Sequence, residues 1–322
     1  MRLSIVIPVY NVELYIRKCI ESVLCLPFSK SDYEIIVVND GTPDNSMDIV
    51  KEYESYSNIH IISQENKGLG GARNTGLRSA KGEWVYFLDS DDSIDYHSFI
   101  TLFQKACDDE SVDIIIGDYD YVLNNERVRG KFTIETKDDI VLPGEVFLER
   151  YYSTVNTMVW RSIYRKKMLL DNNLYFIEGV YHEDVNWTPK CIIKANNIYY
   201  SPISFYYYLI REGSIIQSAK NTKKVNDLLV AYEDLLRYFS NCSKNAQRSI
   251  SNSAITSLLV LNGQYAFYKD KDINARFLEV ISTRCSRSLR IKIICGLYRL
   301  FPSFFNHLLS NKYGNKDTKA IF

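Results

Sequence analysis

Apolar runs and polar turns alternate along the first hundred residues. Leu3 to Ile7 is mostly apolar and β-branched and leads into Pro8-Val9-Tyr10-Asn11, the pattern of a buried strand closed by a turn. From Val12 to Leu24 the apolar spacing turns helical, through Leu14, Ile16, Ile20, Val23 and Leu24. Glu34 to Val38 reads as a second buried strand, ending at Asn39-Asp40-Gly41. Asp44, Asn45 and Ser46 are cap residues for a helix through Ile49, Val50 and Tyr53. Ile59 to Ile62 is a third strand, and Leu69 to Ser79 a short helix after a Gly-rich turn. Trp84 to Leu88 is a fourth strand, which delivers Asp89, Ser90, Asp91 and Asp92 at its C-terminal end.

Strand-helix alternation at this pitch predicts a parallel sheet covered by helices. In such sheets the ligand crevice lies beyond the C-terminal ends of the strands. Asn11, Asp40 and the run Asp89 to Asp92 all fall at such ends.

The pattern changes after about Asp118. Strands at Asp113 to Val122, Trp160 to Tyr164, Ile198 to Ser201 and Phe205 to Ile210 mix with short helices near Gly144 to Tyr151, Lys166 to Asp171 and Glu183 to Lys194. From Thr222 onward the spacing is helical: Val225 to Phe239, Arg248 to Tyr268 and Ile273 to Cys285. These shifts predict a first domain over 1–220, with halves 1–118 and 119–220, and a helical C-terminal region over 221–322.

The chain of 322 residues is long enough to bury a sizeable core. Its formal net charge is zero, which argues against nucleic acid as a partner. The 7 cysteines form no CxxC pair and lie near no histidine at zinc-ligand spacing, so they read as reduced, buried thiols of a cytoplasmic protein. No apolar run reaches the length of a membrane span, and the N-terminal one is too short for a signal peptide.

Three carboxylates on one strand end repel unless a cation or donor groups neutralise them. Mg²⁺ or Mn²⁺ prefers such oxygen ligands and completes its shell with substrate phosphates. The same run also reads as a solvated loop that caps the next helix through Ser93 or Asp95. Asp40 can accept from a base N–H or ribose hydroxyls, and Tyr10 can stack on a base. In Lys67-Gly68-Leu69-Gly70-Gly71-Ala72-Arg73-Asn74 the glycines permit close backbone approach and Arg73 offers a fork for phosphate or carboxylate. Neither the P-loop order nor a dinucleotide GxGxxG after the first strand is present.

Ile5-Val6-Ile7-Pro8-Val9-Tyr10-Asn11, Val38-Asn39-Asp40-Gly41-Thr42, Gly71-Ala72-Arg73-Asn74 and Phe87-Leu88-Asp89-Ser90-Asp91-Asp92 occur in this order. Together they resemble the family-2 glycosyltransferases of the GT-A fold. The strong match covers about the first 100 residues. The resemblance implies an α/β fold with a Rossmann-like mixed sheet flanked by helices, and a helical C-terminal extension. It implies an inverting transferase that moves a sugar from a nucleotide-diphospho-sugar, a UDP-sugar above all, to a glycan or lipid-linked acceptor in surface polysaccharide synthesis. By resemblance, Pro8, Tyr10, Asn11, Asp40, Gly71 and Arg73 fall to the donor nucleotide. Asp89 falls to nucleotide and metal, and Asp91 to the divalent cation, Mn²⁺ or Mg²⁺. Thr42 stands where serine is commoner, and Asp92 is an extra acid.

An acceptor hydroxyl is a poor nucleophile, so a positioned carboxylate must take its proton. His182-Glu183-Asp184 resembles the family's ED motif, with Asp184 as the base and Glu183 as a supporting or acceptor-side residue; His182 is another option. Arg211, in an Arg-x-x-Ser segment, resembles an element that folds over the donor diphosphate. Trp160 and Arg161 are candidates for the acceptor side, and Trp160 also reads as core.

Beyond Arg284 the basic residues alternate with Leu, Ile and Phe, and Asp317 is the only acid. A basic amphipathic segment over 284–310 can lie on the cytoplasmic face of the inner membrane or pack back on the domain. Two other functions fit the scaffold: a nucleotidyltransferase, and a non-catalytic binder of sugar nucleotides or glycans. A nucleotidyltransferase would carry a Gly-rich basic loop where this chain has Pro8-Val9-Tyr10-Asn11.

Overall fold

The structure is a computed structural model that describes residues 1–124, 126–131, 133–155, 158–211, 222–265 and 271–283. The chain divides into two compact units, 1–147 with 154–212, and 148–153 with 213–322.

The first unit opens with β1 (Leu3–Val9), α1 (Ile16–Leu24), β2 (Tyr33–Asn39), α2 (Ser46–Lys51), β3 (Ile59–Ser63), α3 (Gly68–Ser79) and β4 (Trp84–Phe87). β3, β2, β1 and β4 lie side by side in that order, all parallel. Every residue of β1 is buried, as a central strand covered on both faces requires. The helix expected from Val12 starts only at Ile16. Its predicted first turn is tied down instead: Val12 N donates to Ser46 Oγ (3.1 Å) and Glu13 N to Asp44 Oδ2 (2.9 Å).

Beyond β4 come β5 (Ser93–Ile94), α4 (Tyr96–Ala106), β6 (Val112–Leu123), β7 (Glu126–Arg129), β8 (Ile140–Pro143), α5 (Gly144–Val155), β9 (Ser162–Arg165), α6 (Lys166–Asp171), α7 (Glu183–Lys194) and β10 (Asn197–Leu209). β9 runs antiparallel between β4 and β6, and β10 pairs with β6 in parallel. The sheet is therefore mixed. Asp95 caps α4, accepting from Ser98 N at 2.9 Å.

Two strands expected around Pro202 are one, β10. Its register against β6 shifts between Tyr200 and Ser204, so the proline is accommodated at an irregularity. Trp160 and Arg161 are in a 3₁₀ turn before β9, not on a strand, and both are buried. Arg161 donates to Asp118 Oδ1 (3.0 Å) and to the Gly117 carbonyl, and Trp160 stacks on Tyr206 with centroids 4.1 Å apart. Trp160 is core, as one of its two readings had it, and the burial of Arg161 is a correction to its expected acceptor-side placement. Cys25 is exposed and Cys242 half-buried, against the expectation of buried thiols.

The second unit is helical where described: α8 (Thr222–Tyr238), α9 (Lys244–Tyr265) and α10 (Lys271–Thr283). Leu228, Leu229, Tyr232, Leu235 and Leu236 recur at helical spacing and bury one face of α8. Arg276 of α10 reaches Glu233 of α8 at 3.0 Å. No described helix is long and apolar enough to cross a membrane. The basic tail over 284–310 lies outside the described residues.

Candidate active site

The C-terminal ends of β1, β2 and β4 supply three turns, and a side chain of the β2 turn holds the backbone of the β1 turn. Asn11 follows β1 in the left-handed region (φ 56°), and its N–H donates to Thr42 Oγ1 at 2.7 Å. Pro8 is buried within β1, while Tyr10 stands half-exposed at its end. Gly41 sits at φ 67°, a conformation that favours glycine, and a Cβ there would meet Asn66 N at 3.2 Å. Asp40 is buried. Its Oδ1 accepts from Gln64 Nε2 (2.7 Å) and from Lys67 N at the start of α3 (2.8 Å).

α3 is the hub of the site. Gly70, Arg73 and Asn74 are three and four residues apart, so they share one helix face. That face meets the segment leading into α7. A Cβ on Gly70 would lie 2.8 Å from the Ile177 carbonyl. Asn74 clamps Phe176 from both sides: its Nδ2 donates to the Phe176 carbonyl (2.9 Å) and its Oδ1 accepts from Phe176 N (2.8 Å). Gly71 is buried within α3 and faces the Lys67 side chain.

Arg73 joins the two acidic motifs. Its Nη2 donates to Asp89 Oδ1 at 2.7 Å and its Nη1 to Glu183 Oε1 at 2.5 Å. Burial works against the guanidinium charge, but Asp89 and Glu183 outweigh it and raise its pKa. Burial, with the charges of Asp184 and Asp89, pushes the Glu183 carboxyl up against the opposing pull of Arg73.

The three aspartates after β4 part company. Asp89 turns to Arg73. Asp91 Oδ2 accepts from Arg211, Nη2 at 2.8 Å and Nε at 2.9 Å, and the guanidinium lies over the Tyr15 ring at 4.7 Å. Asp92 is buried and accepts from Tyr206 Oη (2.5 Å) and Leu209 N (2.7 Å) of β10. The extra acid thus anchors the turn to β10, alongside the pairing of β5 with that strand. Burial and the charge of Asp89 raise the Asp91 pKa, with Arg211 opposing. Burial, then Asp91 and Asp89, raise that of Asp92 further.

α7 begins after His182, which is left-handed at φ 61°. Such backbone outliers concentrate at functional sites. The first two residues of the helix differ in exposure: Glu183 is buried and Asp184 partly exposed. Trp187 anchors the helix through Nε1 to the Leu174 carbonyl (2.9 Å) and a stack on Phe176.

Asp89, Arg73 and Glu183 are thereby brought together, and so are Asp91 and Arg211. Sequence reasoning left Gln64, Asn74 and Tyr206 without roles. The helical spacing of Gly70, Arg73 and Asn74 was the one available signal, since the partners lie far along the chain. Among the described residues no group of three His, Cys, Asp or Glu side chains forms a metal cage.

The glycosyl transferase family 2 profile matches residues 4–170. The uncharacterized glycosyltransferase YibD of Escherichia coli (strain K12) is 30% identical over 248 residues, 76% of this chain and 72% of that protein. Poly(ribitol-phosphate) beta-N-acetylglucosaminyltransferase TarS of Staphylococcus aureus (strain Mu50) is 32% identical over 225 residues, 68% of this chain but 37% of TarS. The crystal structure of S. aureus TarS 1–349 with UDP-GlcNAc superposes with a TM-score of 0.75 at 21% identity, covering 97% of this chain and 91% of that one. Residues, sheet order and these likenesses agree: the chain has the GT-A fold and belongs to glycosyl transferase family 2.

Proposed function

We propose that this family member is an inverting, metal-dependent glycosyltransferase that takes a sugar from a UDP-sugar and gives it to a glycan or lipid-linked saccharide in surface polysaccharide synthesis. One observation carries the reading. Arg73 connects a partly exposed donor-side carboxylate, Asp89, to the turn that presents Asp184. Sugar transfer needs those two functions close together. The UDP-GlcNAc in the TarS structure and the polymer in that protein's name favour a UDP-sugar and a polysaccharide acceptor.

Tyr10, Asn11, Asp40 and the β1 end at Pro8 form the nucleoside side. Gly71 lies on the same helix as Arg73 and leaves room for the Lys67 side chain beside it. Asp89 and Asp91 suit a hard divalent cation, because both offer carboxylate oxygens and such a cation completes its shell with substrate phosphates. Such a cation, when bound, supplies positive charge to the leaving diphosphate. Arg211, which pairs with Asp91, would turn toward that diphosphate. Asp184 takes the proton of the acceptor hydroxyl as its oxygen attacks the anomeric carbon. The bond to the diphosphate breaks on the opposite face, so configuration inverts.

The basic tail over 284–310 is proposed to hold the enzyme at the cytoplasmic membrane face, where lipid-linked acceptors lie.

The test is UDP release from a panel of UDP-sugars with Mn²⁺, with and without glycan acceptors. Wild type turns over at least one donor, and Asp91→Ala abolishes it. A wild type that binds UDP-sugars but neither hydrolyses nor transfers any of them would favour the non-catalytic binder.

A further inference from the structure

The resemblance gives Arg73 to the nucleotide and leaves Glu183 with a supporting or acceptor-side role. The geometry points elsewhere for both. Arg73 is almost entirely buried, its side chain 3% exposed. Each arm of its fork already meets a carboxylate, Asp89 on one side and Glu183 on the other. These partners stand 16 and 110 residues away in sequence and belong to different elements. Its Nε has no partner, and its guanidinium lies over the Phe176 ring at 5.4 Å. A phosphate would have to compete with these two carboxylates for a side chain that solvent scarcely reaches. Glu183 is likewise turned inward, while its neighbour Asp184 is the partly exposed acid.

We propose that Arg73 and Glu183 are positioning residues: together they hold the first turn of α7 against Asp89, and so set the distance between the donor site and the base Asp184. The inference rests on the reading of Asp184 as the base. Glu183 is the first residue of α7, directly after the left-handed His182. Fixing its side chain therefore fixes where the next residue points. Asp89 is 21% exposed on the donor side, so the same guanidinium ties the base to the carboxylate nearest the donor. Arginine suits this place, because its rigid planar fork aims separate N–H groups at two carboxylates in fixed directions, whereas a lysine ammonium is a compact point charge on a flexible stem.

The experiment compares UDP affinity by calorimetry with kcat and KM for UDP release from UDP-glucose and UDP-N-acetylglucosamine. Arg73→Lys is expected to lower kcat by about 10²-fold, the typical cost of misplacing a catalytic group by about 1 Å. UDP affinity and donor KM should stay within about threefold, since Asp89 is fixed at the end of β4 and keeps a cation beside it while the first turn of α7 shifts. Glu183→Gln keeps an oxygen that accepts from Arg73 and is expected to retain kcat within about tenfold, whereas Glu183→Ala loses about as much as Arg73→Lys. The double variant Arg73→Lys with Glu183→Ala should be little worse than either alone, because one link is cut twice.

A loss of UDP affinity of tenfold or more in folded Arg73→Lys overturns the proposal and returns Arg73 to the nucleotide. Glu183→Gln as inactive as Asp184→Asn also overturns it, because Glu183 would then handle the proton itself. Should Arg73→Lys not fold, the Gln and Ala variants of Glu183 decide alone. Asp184→Asn keeps the two failures apart: full activity there sinks the base assignment, whatever Arg73 does.

Discussion

Gly76 lies on the face of α3 that meets β1, and its replacement by alanine sets two effects against each other. Alanine in a helix interior is favoured over glycine by about 1 kcal/mol. Against that, a Cβ at position 76 would stand 2.8 Å from Val6 Cγ2 and 3.1 Å from Val6 Cβ, and would overlap Cγ1 more deeply. Carbon contacts relax only at about 3.5–4.0 Å. Val6 is fully buried, and its strand is paired on both sides, with β2 and β4. Rotation about χ1 does not help, since Cβ itself is too near. The helix must therefore move by about 1 Å, and overpacking of this kind costs about 1–3 kcal/mol. The expected net loss is about 0–2 kcal/mol, or a Tm lower by up to about 6 °C. α3 also carries Arg73, so UDP release should fall further than the stability loss explains, toward about 10²-fold. Urea denaturation at unchanged m value measures the first effect and steady-state turnover the second. Val6→Ala in the same chain should recover turnover in part, since it removes the opposing methyls but keeps the Cβ contact at 3.1 Å. A Gly76→Ala protein more stable than wild type would refute the reasoning, because helix propensity would then outweigh a contact described as too tight to yield.

Other outcomes follow from the same geometry. Arg211→Ala frees Asp91 from its competing cation, so Mn²⁺ affinity without donor should rise severalfold while donor KM also rises; a Mn²⁺ titration by EPR that shows weaker binding would contradict this. Asp92 has a folded-state pKa raised by burial above its usual 3.8, so its ionisation costs the native state stability above about pH 4 and nothing below. Asp92→Asn should therefore gain on wild type as pH rises from 4 and show no gain near pH 3; a difference in Tm independent of pH would dismiss that cost. Asn74→Ala leaves the Phe176 backbone groups unpaired and should destabilise by about 1–3 kcal/mol, with faster amide exchange at Phe176; unchanged exchange there would remove the clamp from the account.

Much of the donor half was legible before the fold was seen. Buried parallel strands read as continuous apolar runs, and their ends read as polar turns, so β1 to β4 and the positions of Asn11, Asp40 and Asp89 came from local pattern. The ordered motifs added the family. The second half was harder for physical reasons. Pro202 splits an apolar run that the fold keeps as one strand by shifting register. Trp160 carries strand-like neighbours but enters a 3₁₀ turn, where its ring packs on Tyr206. The short strands β5, β7 and β8 were missed, because two to four residues give too little period to detect.

The sequence by itself determined the family, the order of the first four strands and the edge at which the polar turns gather. Those depend on side-chain period and on neighbours within a few residues. Only the tertiary structure decided what each acid faces. Asp92 meets Tyr206 across 114 residues, and Arg73 meets Glu183 across 110. Such pairs are set by the packing of distant elements, which no local pattern encodes. That packing turns a run of like aspartates into three carboxylates with different partners, and it leaves Asp184 as the more exposed acid of its pair.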